Sequence, residues 1–170
     1  MSYTLKRRPL AHDEMERLAA ACRSVREKRV IWILLDTGLR LSELTGLTRD
    51  RIAPQWQCLY VGARQSADGV GGFRVIPITP RIAPLLDSWF SRNESFGLSV
   101  RSVQRIVHDV AARAGIERPV CADTLRHTFA LAAARGGVSP LELKRLLGHK
   151  HLAATEPYFT LARGAGGFRS

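Results

Sequence analysis

One short segment in the last third of the chain carries helix signals at both of its ends. Ser139-Pro140-Leu141-Glu142 is a capping box with proline at the first helical position. Leucines at helical spacing follow, at positions 143, 146 and 147. Gly148 is the residue type that favours the left-handed conformation in which many helices end. The sequence therefore predicts a short helix that fixes His149 at a defined place just beyond its end.

Apolar residues at helical spacing recur along most of the chain. They predict helices in the following segments: 12–22, 30–35, 39–47, 79–90, 103–114 and the segment around Arg126. Residues 23–29 are predicted as a charged turn, and Pro157 predicts a fresh short segment over 158–162. Residues 58–61 and 73–76 predict two strands joined by a glycine-rich hairpin loop. The predicted fold class is mainly α with a small antiparallel β-sheet, in one domain.

The charge balance indicates a polyanionic partner. The chain has 26 lysines and arginines against 15 acidic residues, a formal net charge of +11. Nucleic acid is the first candidate partner, and a merely basic soluble protein is the plainer alternative. Aromatic residues are few and not grouped, which favours binding to the backbone of duplex DNA over stacking on single strands.

Other classes of protein are disfavoured. The three cysteines are far apart and odd in number, which is typical of a reducing cytosol. The histidines form no metal-like spacing, so we predict no metal site and no cofactor. The sequence has no apolar run of the ~18 residues that a membrane span requires, and no secretory signal. The glycine-rich loop lacks the pattern of a nucleotide-binding P-loop.

Four residues near the C-terminus suit chemistry at a phosphodiester. Arg126 precedes His127 directly, and Tyr158 follows His149 by nine residues. An arginine binds phosphate bidentately, a histidine donates a hydrogen bond or moves a proton, and a tyrosine hydroxyl can act as a nucleophile. Each has a plainer alternative when taken singly: a surface charge, a helix cap or a packing residue.

The pattern formed by these residues resembles the Xer-like tyrosine recombinase (phage integrase) family. The matching segments are Thr124 to Ala130, Leu146 to His149, Tyr158, and the box Thr37 to Leu44 that carries a first arginine, Arg40. The resemblance runs from about residue 10 to residue 158. It implies the catalytic-domain fold of that family, double-stranded DNA as partner, and a 3′-phosphotyrosyl intermediate formed without metal or ATP.

The resemblance implies a role for each matching residue. Arg40 and Arg126 clamp the scissile phosphate, His149 donates to a phosphate oxygen, and Tyr158 is the nucleophile. Two residues are expected to support them, Glu43 by holding Arg40, three positions away on a helix, and His127 beside Arg126. Arg101 and Arg105 are candidates for DNA contacts or for a solvated face. Arg74, which matches the arginine that closes the hairpin in the family, is a further candidate for a DNA contact.

Two positions depart from the family pattern. Asp123 stands where the family has a histidine, and it could accept a proton, orient Arg126 or cap the helix, of which capping is favoured. The family's hairpin lysine is missing, and Arg64 is the nearest basic residue to its place. An arginine is a poor proton donor because its pKa exceeds ~12. We therefore expect a slower or conditionally active enzyme.

The expected organisation is a basic arm over residues 1–9, an integrase-like catalytic domain over 10–162 and a flexible tail over 163–170. No N-terminal core-binding domain is expected within the chain. The leading function is a site-specific DNA recombinase or integrase. A catalytically impaired DNA-binding regulator of the same fold and a type IB topoisomerase-like activity remain open, as does a homo-oligomer on DNA. The expected location is the cytoplasm, with the nucleoid.

Overall fold

A computed structural model describes residue 5 and residues 7–62 and 73–164. The described part is mainly helical, with one small sheet, which confirms the predicted fold class. In chain order the helices and strands are α1 (His12–Ala20), α2 (Val25–Thr37), α3 (Leu41–Thr45), β1 (Ile52–Ala53), β2 (Cys58–Gly62), β3 (Phe73–Pro77), α4 (Ala83–Phe90), α5 (Val100–Arg113), α6 (Ala122–Arg135), α7 (Pro140–Leu147) and α8 (Glu156–Gly164). Short 3₁₀ turns cover Arg49–Arg51, Pro54–Trp56 and Leu152–Thr155.

The three strands form an antiparallel sheet in the order β1-β2-β3. Leu59 is the register partner of both Ile52 and Ile76, so the middle strand is paired on both sides. The two predicted strands are confirmed, and the structure adds the two-residue β1. The predicted glycine-rich loop lies almost wholly outside the described residues, since 63–72 are not among them.

Helix α2 forms the centre of the main hydrophobic core. Trp32 within its apolar run is half-buried. The other five residues of the run are buried: Val30, Ile31, Ile33, Leu34 and Leu35. Helices α1, α4, α5 and α6 pack around it. A second, smaller cluster joins α6, α7 and α8, and contains Ala130, Leu143, Leu147 and Tyr158. The second cluster contains Tyr158, the predicted nucleophile.

Local predictions were wrong at several helix starts, and α4, for example, begins at Ala83 rather than at Thr79. The charged segment 23–29 is not a turn, because Ser24 accepts a hydrogen bond from the Glu27 amide and α2 begins at Val25. Helix α3 begins after Arg40 rather than at residue 39. The last segment begins at Glu156, because Pro157 lies in the first turn of α8, where its missing N–H costs nothing.

Candidate active site

Arg126 is a buried cation whose hydrogen bonds go to neutral groups. It lies on α6 with 5% of its surface exposed. Its Nη1 donates to the Gly38 carbonyl and its Nη2 to the Leu147 carbonyl, both at 2.6 Å. Burial, reinforced by the positive charge of Arg40, lowers the pKa of Arg126 to about 10, so it remains charged at neutral pH. The guanidinium is therefore fixed by the ends of α2 and α7, without a carboxylate on it.

The approach of α6 to α2 requires a glycine at position 38. Gly38 has a φ of +62° and ends α2. A Cβ atom there would collide with the ring of Phe129 on α6. The glycine thus lets its own carbonyl reach Arg126, which is 88 residues away in sequence.

Glu43 on α3 joins two arginines. Its Oε2 accepts from the Arg40 backbone amide at 2.7 Å, and its Oε1 accepts from Arg40 Nη1 at 3.3 Å. The expected contact between Glu43 and Arg40 is therefore present. The same carboxylate accepts two bonds of 2.7 Å from Arg74. Burial alone would raise the pKa of Glu43, but the bonds from Arg74 and Arg40 hold it below its ordinary value.

The structure corrects the interpretation of Arg74 as a DNA contact. Besides its two bonds to Glu43, its Nε donates to the Leu146 carbonyl at 2.8 Å, and only 9% of its side chain is exposed. Little of the guanidinium is left to meet a phosphate. Arg74 instead ties β3 to both α3 and the end of α7, so it positions the elements that carry Arg40 and His149.

His149 follows the C-terminus of α7 as predicted. Ser139 accepts from the Glu142 amide, and Gly148 has a φ of +64°. Burial, with the positive charges of Arg126 and Arg40, lowers the pKa of His149 to about 4. Its buried Nδ1 has no hydrogen-bond partner among the described residues. At neutral pH His149 is thus an uncharged imidazole beside two guanidiniums.

Tyr158 is a buried phenol whose hydroxyl contacts a histidine. Its surface is 2% exposed, and its ring packs with Leu143 and Leu147. The hydroxyl oxygen lies 2.7 Å from His127 Nδ1. Burial raises the pKa of Tyr158 to about 12, although the charge of Arg126 acts in the opposite direction. The phenol is therefore fully protonated at neutral pH.

Asp123 is not the cap of α6. The helix begins one residue earlier, at Ala122, with Cys121 in the capping position. The Thr124 hydroxyl accepts from the Cys121 amide at 3.2 Å and so performs the capping contact. Asp123 is exposed in the first turn, one helical turn before His127. The favoured interpretation of this residue as the cap is wrong, because the capping position lies two residues earlier.

The remaining predicted residues lie apart from this cluster or outside the described chain. Arg64 falls within 63–72 and is outside the described residues. Arg101 and Arg105 are exposed on α5. In the part of the chain that the structure covers, no group of three His, Cys, Asp or Glu side chains could hold a metal ion. No helix there is long and apolar enough to cross a membrane.

Sequence reasoning missed two features of the site. The backbone carbonyls that hold Arg126 carry no side-chain signal, and the glycine at position 38 is the sequence feature that could have indicated a close approach. The contact between His127 and Tyr158 spans 31 residues, and His127 was singled out only by its place beside Arg126.

Residues 8–164 match the model of the phage integrase family. Tyrosine recombinase XerD of Listeria monocytogenes serotype 4b (strain F2365) is 25% identical over 169 residues, which cover 86% of this chain and 55% of XerD. The chain spans about half the length of the curated relatives it matches, 49% for XerA of Saccharolobus solfataricus.

Solved structures show the same fold. XerA recombinase superposes with a TM-score of 0.80 at 22% identity, over 100% of this chain and 67% of XerA. XerH, solved with its palindromic difH substrate after cleavage, superposes with a TM-score of 0.75 at 19% identity, over 93% of this chain and 51% of XerH. The catalytic domain of bacteriophage HP1 integrase gives 0.71 at 26% identity, over 95% of both chains. On the strength of the family match and this fold, the chain belongs to the phage integrase family.

Proposed function

We propose that this chain cuts and rejoins double-stranded DNA at specific sites through a 3′-phosphotyrosyl intermediate. The proposal makes it a tyrosine-type DNA strand transferase, acting in the cytoplasm on nucleoid DNA. It rests chiefly on one observation, the buried Arg126 guanidinium that is held only by backbone carbonyls in the same cluster as Tyr158.

The electrostatics of the cluster favour an oxyanion. Three guanidiniums, those of Arg40, Arg74 and Arg126, lie around the single carboxylate of Glu43. Arg74, through two bonds, and Arg40, through one longer bond, share this one carboxylate, so the three guanidiniums keep an excess of positive charge for a ligand. Fixed cations of this kind stabilise the negative charge that develops on phosphate oxygens in the transition state. A scissile phosphate bound there would meet the guanidiniums of Arg40 and Arg126.

His149 adds a neutral donor to the same place. Because its pKa is about 4, it approaches the phosphate as an imidazole and donates a hydrogen bond without adding a formal charge. A bound phosphate would offset the repulsion from Arg126 and Arg40, so the pKa of His149 should rise when DNA binds. The nucleophile that would attack this phosphate is Tyr158.

Covalent trapping on nicked duplex DNA tests the proposal. A pool of nicked duplexes that includes native flanking DNA should yield a protein–DNA band that survives denaturing electrophoresis. Tyr158→Phe should abolish the band, and Tyr60→Phe, a change of the same kind on β2, should leave it unchanged. Measurable DNA binding without any covalent band would instead favour a catalytically impaired DNA-binding regulator. The observation that supports this alternative is Asp123, which stands where the family has a histidine.

A further inference from the structure

The family histidine that the resemblance places three residues before Arg126 is Asp123 here, which leaves the proton of Tyr158 without an assigned acceptor. The nucleophilic oxygen must lose this proton as it bonds to phosphorus. With a pKa of about 12, only about one Tyr158 in 10⁵ is a phenolate at pH 7. Attack by a pre-formed phenolate is therefore disfavoured, and a base within hydrogen-bond reach of the hydroxyl is required.

The structure places one side chain at that distance. His127 Nδ1 lies 2.7 Å from the Tyr158 hydroxyl oxygen, with the two rings 5.9 Å apart and tilted by 37°. No other side chain of the described residues forms a hydrogen bond with that hydroxyl. We propose that His127 is a catalytic residue, the general base that takes the Tyr158 proton on Nδ1. This inference rests on the proposed function and names a further residue of the same site.

The proton transfer fits the charge environment of His127. Burial lowers its pKa, with a smaller contribution from Arg126, so the ring is neutral at pH 7. In the neutral tautomer that carries its proton on Nε2, the Nδ1 lone pair can accept the Tyr158 proton. The charged and titratable groups that act on it are Asp123 and Arg126 from α6, His149 after α7, Tyr158 from α8 and Arg7 from the N-terminal segment. Asp123 opposes the fall in pKa, because a carboxylate favours the imidazolium.

Asp123 thereby acquires a positioning role that differs from capping. It precedes His127 by four residues on α6, so the two side chains share one face of the helix. The imidazolium that forms during attack is the state that this carboxylate stabilises. Asp123 would thus support the base without approaching the phosphate itself.

In the cleavage step the Tyr158 oxygen bonds to phosphorus, the bond from phosphorus to the 5′-oxygen breaks, and the tyrosine proton passes to His127 Nδ1. The departing 5′-oxygen takes a proton from water, which leaves hydroxide. In the rejoining step a 5′-hydroxyl oxygen bonds to phosphorus and gives its proton to hydroxide, the bond from phosphorus to the Tyr158 oxygen breaks, and the imidazolium returns its proton to that oxygen.

Single-turnover trapping on nicked duplex DNA tests the assignment with two variants of His127. His127→Ala removes the base, and His127→Asn keeps a polar group near Nδ1 that cannot take a proton. Both should form the covalent adduct about a hundredfold more slowly than the wild type, or slower still. His151→Ala, at an exposed histidine outside the cluster, should be unchanged. An Asn variant at the wild-type rate would overturn the inference, because it would show that the contact is only structural.

Two further measurements separate the base from other roles. The rate of His127→Ala should rise log-linearly with pH as the phenolate fraction grows, whereas the wild type should level off. A substrate with sulfur in place of the bridging 5′-oxygen, whose leaving group needs no proton, should not rescue the variant. A pH profile with the wild-type shape, or full rescue by sulfur, would overturn the inference.

Nitrogen NMR reports the hydrogen bond without reference to activity. The wild type should show an unprotonated Nδ1 on His127 whose ¹⁵N resonance shifts in Tyr158→Phe. A protonated Nδ1 would mean that histidine donates to the hydroxyl, which would contradict the assignment. Absence of an adduct from the wild type would overturn the proposed function and this inference together, whereas equal rates for the wild type and His127→Ala would overturn the inference alone.

Discussion

At the scale of single residues, burial sets the protonation states of the site. Arg126 keeps its charge with a pKa of about 10, and Tyr158 keeps its proton with a pKa of about 12. His149 remains neutral down to a pH of about 4. The site is therefore a pair of guanidiniums with two uncharged polar groups, an arrangement that favours an anion over a metal ion.

The depressed pKa of His149 predicts a loss of stability in mild acid. The folded pKa of about 4 lies below the ordinary value of 6.5, so the unfolded chain binds a proton in this range that the folded chain does not. The free energy of unfolding should fall as the pH drops from 6.5 towards 4, by on the order of 1 kcal/mol at pH 5 after allowance for partial exposure.

Urea unfolding at pH 7 and pH 5 measures this effect. The wild type should lose more stability between the two pH values than His149→Asn does. His151→Asn, the exposed control, should behave as the wild type. Equal losses in the wild type and His149→Asn would show that the pKa of His149 is not depressed.

Arg126→Lys should impair catalysis strongly although it keeps the charge. A lysine cannot donate to the Gly38 and Leu147 carbonyls at once and still present a planar donor pair to a phosphate. We expect adduct formation to slow by about 10² to 10³-fold, the cost of losing one fixed transition-state donor. Arg105→Lys, an exposed site, serves as the control. A decrease of less than tenfold in the rate of adduct formation would show that the Arg126 guanidinium is not a main transition-state donor.

At the scale of elements, helix ends bring the site together. The C-termini of α2 and α7 supply the carbonyls for Arg126, and Arg74 from β3 joins α3 to the end of α7. The positions of three of the four predicted catalytic residues, Arg40, Arg126 and His149, thus depend on how the ends of helices meet.

The sequence predicted which segments form helices more accurately than it predicted the residues at which those helices begin. The helix from Ser139 to Gly148 was predicted with both caps, because capping box, leucines and glycine all agreed. The first turn of α2 was missed, because its charged residues were interpreted as a turn although Ser24 caps the helix. Asp123 was wrongly predicted as the cap of α6. The helix begins at Ala122 instead, because the Thr124 hydroxyl makes the capping contact with the Cys121 amide. The carbonyl partners of Arg126 could not be predicted, since any residue carries a carbonyl.

Gly148→Ala should cost more stability than the same change at a glycine without a close contact. Gly148 has a φ of +64°, and an added Cβ would lie 3.2 Å from Arg74. Gly115 has a φ of +66°, and an added Cβ would lie at an ordinary contact distance of 3.5 Å from Arg17, so Gly115→Ala isolates the backbone strain, about 1–2 kcal/mol. Gly148→Ala should exceed that control in urea unfolding, and it should also slow adduct formation. Equal losses of unfolding free energy in the two variants would mean that the Arg74 side chain moves away from the added methyl group without cost.

Glu43→Gln tests the junction of α3 and β3. The carboxylate and Arg74 are 13% and 9% exposed, so the change leaves a nearly buried guanidinium without its anion, at a cost of about 3 kcal/mol. Glu94→Gln removes an exposed pair with Arg49, with side chains 80% and 44% exposed, and should cost under ~1 kcal/mol. Chemical denaturation compares the two, and similar costs would contradict a structural role for Glu43.

At the scale of the whole molecule, the net charge of +11 predicts DNA binding that weakens steeply with salt. Arg105 is exposed on α5, and if it contacts a phosphate, Arg105→Gln should reduce the slope of log affinity against log salt by about 1. Arg49→Gln, the same charge change at an arginine paired with Glu94, should leave the slope unchanged. Filter binding over a salt series measures both slopes. Identical slopes for all three proteins would remove Arg105 from the DNA interface.

The most direct test of the central claim is to identify the residue and the DNA end in the covalent adduct. The trapped complex from nicked duplex should be digested with protease and nuclease and analysed by mass spectrometry. The account predicts a nucleotide joined through its 3′-phosphate to the peptide that contains Tyr158, with the 5′-hydroxyl end of the DNA free. Attachment to another residue, or through a 5′-phosphate, would contradict it.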